Sequence, residues 1–172
     1  SQNAGLLELR QVISSYYQRT ENLVYDPVSE IMVTVGAMEG LYLALLSILN
    51  PGDEVIIPAP YYVNYAQMTL MCHATPVIID DPTSKDLTFR VEDMERAITD
   101  KTKAIIINTP SNPSGKIIPS QKIAEIAAIA KKHDLIVLSD EVYKCLIYDG
   151  SKFRSIVEEE GMRERTILIN SL

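Results

Sequence analysis

The sequence predicts an α/β protein, a three-layer α/β/α sandwich built on a mostly parallel sheet. Short runs rich in valine and isoleucine recur along the chain, and most are apolar at every position rather than at alternate positions. Continuous apolar runs are typical of strands that are covered on both faces. Helical stretches separate several of these runs, as parallel strands require. The predicted strands are Ile31 to Val35, Glu54 to Pro58, Thr75 to Ile79, Ala104 to Asn108, Leu135 to Ser139 and Thr166 to Asn170.

Two helices stand out between and before the strands. Residues 6–17 form an amphipathic pattern that Gly5 precedes. A second helix is predicted from Ser120, a residue type that caps helices, to His133. Its apolar residues recur at helical spacing and predict one stripe against the sheet; they are Ile123, Ile126, Ala127 and Ala130.

Composition limits the classes of function. The 172 residues are 47% hydrophobic and 23% charged, which suits one compact core. The net charge of −7 argues against a surface for nucleic acid. The sequence shows neither a membrane-spanning run nor a signal peptide, and Cys72 and Cys145 lack the spacing of a metal or disulfide framework. We therefore expect a cytoplasmic protein with no membrane partner and no metal.

The carboxyl ends of the predicted strands are the places to look for chemistry, since ligands of open parallel sheets bind there. After the first predicted strand, residues 36–41 read GAMEGL, where small residues open a helix whose amide groups suit a phosphate. The lysine of a P-loop is absent, so a plain strand-to-helix turn is the alternative. After the second, residues 60–65 read PYYVNY. These tyrosines suit either stacking on a flat heterocycle or packing among helices.

Two further segments carry polar groups at strand ends. Residues 111–115, SNPSG, form a rigid loop in which Pro113 holds Asn112 out of the helical region. Residues 139–143, SDEVY, follow an apolar strand. Asp140 there should have a cationic or hydrogen-bonding partner, because an unpaired carboxylate in that position is costly. A structural ion pair is the alternative for Asp140, and simple solvation is the alternative for Glu141.

The set and order of these motifs resemble the class I and II aminotransferases, fold-type I enzymes that use pyridoxal 5′-phosphate. The resemblance runs from GLLELR at residues 5–10 to INSL at residues 169–172, and SNPSG followed by SDEVY is its specific part. It implies that Asp140 pairs with the pyridine nitrogen of the cofactor. It further implies that Asn112 and Tyr143 hydrogen-bond the ring oxygen and that Tyr62 stacks on the ring.

The resemblance also implies a phosphate site and a missing lysine. The backbone amides of Ala37 and Met38 and the hydroxyl of Ser171 match the family's phosphate-binding groups. The lysine that forms the Schiff base is expected just after Leu172, so no catalytic residue is assigned within the chain. The bonds before Pro60 and Pro113 can be cis in the family.

The expected whole is therefore an aminotransferase of which residues 1–172 form part of the large, cofactor-binding domain. The C-terminal small domain and the lysine segment would lie outside the chain, and the piece alone is expected not to transaminate. The resemblance implies amino acid and 2-oxo acid substrates and a homodimeric parent, without identifying the substrate.

Two other functions fit the same residues. Carbon-sulfur lyases and aminocyclopropane-carboxylate synthases resemble the same core and would hold the cofactor in the same way. A noncatalytic α/β interaction module would need no lysine after Leu172. The residue that follows Leu172 in the gene separates the enzymes from the module.

Overall fold

The protein is described by a computed structural model covering residues 3–81 and 89–171, and it divides into two compact units between Gly40 and Leu41. The first unit contains helix α1 (Leu7–Glu21) and the start of helix α2 (Gly36–Ile48). Arg10, only 4% exposed, donates from Nη1 to the carbonyl oxygens of Pro27 and Val28 at 2.6 and 3.1 Å. This buried guanidinium ties the segment that follows α1 back to the helix.

The strand predicted at Ile31 to Val35 is wrong, because this segment joins no sheet among the described residues. The amide of Val33 donates to the carbonyl of Ala4 at 3.0 Å, but Val35 is 88% exposed. Apolar, β-branched residues favour a strand only where a neighbouring strand completes the ladder. The backbone of Gly5 comes so close to Val33 that a Cβ at position 5 would lie 2.8 Å from the Val33 Cβ. The φ of Gly5, +89°, likewise favours glycine.

The second unit holds a five-stranded sheet in the order β2-β1-β3-β4-β5. Every pair of neighbouring strands is parallel, which confirms the predicted α/β class. The structure starts the strand predicted at Ala104 two residues earlier, shifts the strand predicted at Leu135 to Ser139 by one residue and ends the last strand one residue earlier. The strands are β1 (Glu54–Pro58), β2 (Thr75–Ile79), β3 (Thr102–Asn108), β4 (Ile136–Asp140) and β5 (Thr166–Ile169).

Helices connect the first four strands. They are α3 (Asn64–Met71), α4 (Val91–Arg96) and α5 (Ser120–Lys132), and two short 3₁₀ helices, Ile156–Glu158 and Arg163–Arg165, lie between β4 and β5. The predicted stripe of α5 is confirmed as buried at Ile123, Ile126, Ala127 and Ala130. Ser120 is the first helical residue rather than the cap, and Pro119 occupies the N-cap position without a side-chain bond.

The topology places a crevice at one end of the sheet. Ile105 and Val137 pack with α4 and α5 in one cluster, and the residues that alternate with them, Ile106 and Leu138, are equally buried. Both faces of the sheet are therefore covered. Strand β2 lies beside β1 at one edge of the sheet, and the chain then returns to form β3 on the other side of β1. Ligands of such sheets bind beyond the carboxyl ends at this switch point.

Candidate functional site

Asp140 ends β4 as a buried carboxyl group with defined partners. The residue is 6% exposed. The Tyr65 hydroxyl donates to its Oδ2 at 2.6 Å, and the Val142 amide donates to its Oδ1 at 3.2 Å. Among the described residues no cation pairs with it. The expectation of a partner is confirmed, and the partner is a phenol rather than the cation of a structural ion pair.

Burial dominates the protonation of this pair. It raises the pKa of Asp140 above the ordinary range, while the bonds from Tyr65 and Val142 lower it in part. The pKa of Tyr65 is raised well above that of a free phenol, first by burial and then by the neighbouring carboxylate. Tyr65 thus remains a neutral donor. A positively charged group placed at the free side of Asp140 would stabilise the carboxylate against its burial.

Tyr65 is the functional residue that the motif assignments missed. It belongs to the same tyrosine cluster as Tyr62, three residues further along the chain, and its place in that cluster was the available signal. The two rings meet edge to face with centroids 5.6 Å apart. Tyr62 and Tyr143 both contribute to the raised pKa of Tyr65, and Tyr65 bonds Asp140 directly, so the three tyrosines and Asp140 lie close together. The structure therefore brings Tyr62 and Tyr143 to the carboxylate at the end of β4.

Asn108, the last residue of β3, connects this carboxylate to the proline loop. Its Nδ2 donates to the carbonyl of Asp140 at 3.0 Å, and its Oδ1 accepts from the amide of Asn112 at 2.7 Å. The amide of Thr109 also donates to the Asp140 carbonyl, at 3.1 Å. One side-chain amide thus fixes the position of Asn112 relative to the end of β4. Sequence reasoning placed Asn108 only at a strand end and gave it no role.

Three peptide bonds of the site loops are cis: those before Pro60, Pro110 and Pro113. Two of these were expected from the resemblance, and the bond between Thr109 and Pro110 was not. The loops border a cleft between the ends of β1 and β3. Tyr65, Asn108 and Ser111 are among the residues that line it. The cleft lies where the strand order reverses. Four predicted site residues of this unit are not among the residues that line it: Tyr62, Asn112, Asp140 and Tyr143.

The remaining predicted residues lie at two separate places. Ser171 is exposed two residues beyond Ile169, the β5 partner of Asp140 in the sheet register. Ala37 and Met38 belong to the first unit, in the first turn of α2, where the positive end of the helix dipole lies. Glu39 of the same turn accepts the amide of Val35. Leu172, and with it the position expected to precede the lysine, lies outside the described residues.

Neither a metal-ligand cluster nor a membrane-spanning helix is found in the part of the chain that the structure describes. No cluster of three or more metal-ligating side chains occurs there, and none of its helices has the length and hydropathy to cross a bilayer. The groups that the structure gathers at the end of β4 are a buried carboxyl group, tyrosine rings and hydroxyls, and amides. This set suits a flat, positively charged heterocycle, because a carboxylate can accept a hydrogen bond from its N–H group and an aromatic ring can cover its face.

Comparison with known proteins decides the family. The family profile "Aminotransferase class I and II" matches residues 1–172. The chain belongs to this family. It is 41% identical over 172 residues to aromatic-amino-acid aminotransferase 2 of Thermococcus litoralis, covering 99% of the chain and 44% of that protein. It is 42% identical over 168 residues to the aspartate aminotransferase of Pyrococcus abyssi, covering 98% and 43%.

Solved structures of the family share the fold. The crystal structure of an aromatic aminotransferase from Pyrococcus horikoshii OT3 superposes with a TM-score of 0.93 at 39% identity, covering 99% of this chain and 45% of that one. The chain thus spans less than half the length of these aminotransferases. The comparisons favour aminotransferases over the lyase, synthase and interaction-module alternatives.

Proposed function

We propose that the protein containing this chain is a pyridoxal 5′-phosphate-dependent aminotransferase, and that residues 1–172 are part of its large, cofactor-binding domain. The observation that carries the proposal is the buried Asp140 carboxyl group, held by Tyr65 but paired with no cation among the described residues, in a chain of this family. Asp140 would pair with the protonated ring nitrogen of the cofactor, and the positive charge there would offset the burial of its carboxylate. When bound, pyridoxal phosphate supplies an electron sink for the carbanion formed at the substrate.

The residues of the second unit would act on the ring. Asp140 holds a proton on the ring nitrogen, and each of its oxygens retains a lone pair after accepting from Tyr65 and Val142. Tyr62 covers one face of the ring and excludes water from it. Asn112 and Tyr143 donate hydrogen bonds to the ring oxygen. Asn108 keeps Asn112 in place through the bond to its amide.

The proposed phosphate-binding groups and the proposed lysine that attaches the cofactor rest on the family resemblance. The amides of Ala37 and Met38 at the start of α2 and the hydroxyl of Ser171 would bind the phosphate. The lysine that attaches the cofactor would follow Leu172. We propose amino acid and 2-oxo acid substrates, a homodimer for the full-length protein and, from two free cysteines, a cytoplasmic location. Residues 1–172 alone are expected to form no keto acid beyond a blank.

The test uses the full-length protein that contains this chain. It is incubated with pyridoxal phosphate, a panel of amino acids and a 2-oxo acid acceptor, and new keto and amino acids are quantified. Stoichiometric transfer is expected, with a loss of about 10²- to 10³-fold in Asp140→Asn, as when a group that stabilises developing charge is removed. Asp134→Asn is the matched control, because Asp134 is 93% exposed. A wild-type protein that binds the cofactor but releases ammonia or sulfide without amino transfer would contradict the proposal.

A further inference from the structure

Glu141, the residue after Asp140, is a completely buried carboxyl group with a separate set of partners. Its side chain has no exposed surface. Glu141 follows the last residue of β4, and its side chain lies on the side of its partner Ser139, which alternates with Asp140 along the strand. Simple solvation, the alternative for Glu141, is therefore wrong. A carboxyl group in such a place costs several kcal/mol unless its surroundings compensate it, so its presence requires a reason.

Two hydroxyl donors and one ammonium group, from three parts of the chain, surround the Glu141 carboxyl group. Its Oε1 accepts from the Ser139 hydroxyl at 3.0 Å and from the Ser155 hydroxyl at 2.5 Å. The Nζ of Lys144 lies 3.9 Å from Oε2, and the Lys144 side chain is only 7% exposed. Ser155 is itself fixed, since its amide donates to Glu158 at 3.0 Å and only 1% of the residue is exposed. The carboxyl group thus joins β4, the turn after it and the segment that begins the first 3₁₀ helix.

The backbone of Glu141 is anchored as firmly as its side chain. Its amide donates to the carbonyl of Ile169 at 2.9 Å, and its carbonyl accepts from the amide of Lys144 at 3.0 Å. These bonds fix the turn of residues 140–144, which carries both Asp140 and Tyr143. A shift of Glu141 would therefore move both residues that the proposed function places at the cofactor ring.

We propose that Glu141 is a positioning residue for the cofactor site. Its contacts with Ser139, Ser155 and Lys144 hold the turn of residues 140–144 so that Asp140 meets the ring nitrogen in line. Glu141 touches neither cofactor nor substrate and acts through the backbone of this turn. The inference rests on the proposed function and deepens it.

The test compares two ligands that differ at one atom. Pyridoxal phosphate carries the ring nitrogen, and its deaza analogue has a carbon there that cannot pair with Asp140. The dissociation constants of both are measured by equilibrium dialysis on the full-length protein, and their ratio reports the Asp140 contact alone. We expect the wild type to prefer the natural cofactor and Glu141→Gln to reduce the preference about tenfold, which corresponds to about 1.4 kcal/mol. A purely structural role would weaken both ligands equally and leave the ratio unchanged.

Three further variants complete the design. Ile129→Ala removes a buried side chain of α5 that belongs to the core cluster, of which Glu141 is not a member, and it should lower stability without changing the ratio. Ser155→Ala removes one donor and should reduce the ratio by a smaller factor, which keeps the test valid if Glu141→Gln does not fold. Asp140→Asn gives the ratio expected when the contact is lost.

The outcomes separate the two proposals. An unchanged ratio in whichever of Glu141→Gln and Ser155→Ala folds overturns the positioning role while leaving the proposed function intact. A wild-type protein that does not distinguish the two ligands overturns the Asp140 assignment, and the positioning role with it.

Discussion

Asp140 and Glu141 are consecutive carboxyl groups at the end of one strand, and their surroundings are opposite in kind. Glu141 is enclosed by two serine hydroxyls and the ammonium of Lys144. Asp140 has a phenol and one backbone amide, and no cation among the described residues. Among the described residues, a lysine thus lies beside the Glu141 carboxyl group, whereas no cationic side chain pairs with Asp140. A buried charge that its own chain does not neutralise is a good place to expect a charged ligand.

The largest effect on stability is expected from removing the carboxyl group of Glu141. Glu141→Leu leaves Lys144 buried beside an apolar group, and we expect the free energy of unfolding to fall by about 3 to 5 kcal/mol. Urea denaturation of the cofactor-free protein measures it. Glu92→Leu is the control at a side chain that is 71% exposed, and it should change stability little. Adding Lys144→Met to Glu141→Leu should restore part of the loss, and an equal loss in the double variant would argue against the ion pair.

A smaller effect on stability is expected from removing the hydrogen bond that Tyr65 donates to Asp140. Tyr65→Phe removes the donor to Oδ2 and should cost about 1 to 3 kcal/mol, because the acceptor stays buried. The same change should raise the pKa of Asp140 further, since the bond from Tyr65 lowers that pKa. Denaturation at several pH values detects both effects.

Tyr148→Phe, at a residue that is 89% exposed, is the matched control. Equal stability of Tyr65→Phe and the wild type throughout the pH range would show that the Tyr65 bond contributes nothing.

The smallest effect has the opposite sign. Burial raises the pKa of Asp140 in the folded state, so ionising it opposes folding. In the cofactor-free protein Asp140→Asn should therefore be more stable than the wild type at neutral pH, by about 1.4 kcal/mol for each unit of raised pKa. The gain should shrink as the pH falls through the folded-state pKa and vanish below the unfolded value, where Asp140 is protonated in both states.

Thermal unfolding of both proteins between acid and neutral pH measures this difference. A variant that is less stable than the wild type at neutral pH would mean that the hydrogen bonds of Asp140 outweigh its burial.

Local patterns were sufficient for much of the fold and part of the site. The apolar runs predicted five strands of the parallel sheet within one or two residues, because burial on both faces leaves a composition that is visible in a short window. The same reasoning predicted a wrong strand at Ile31 to Val35. Whether that run forms a ladder depends on a neighbouring strand, which a local window does not contain.

The sequence by itself determined the α/β class, the proline loop and a buried Asp140 that needs a partner. Only the tertiary structure decided that the partner is Tyr65, 75 residues away along the chain, and that Glu141 is buried rather than solvated. The physical reason is that burial and hydrogen-bond partners arise when distant elements pack. A strand period shows which residues alternate. The hydrogen bonds that Tyr65 of α3 and Ser155 donate at the end of β4 decide what Asp140 and Glu141 meet.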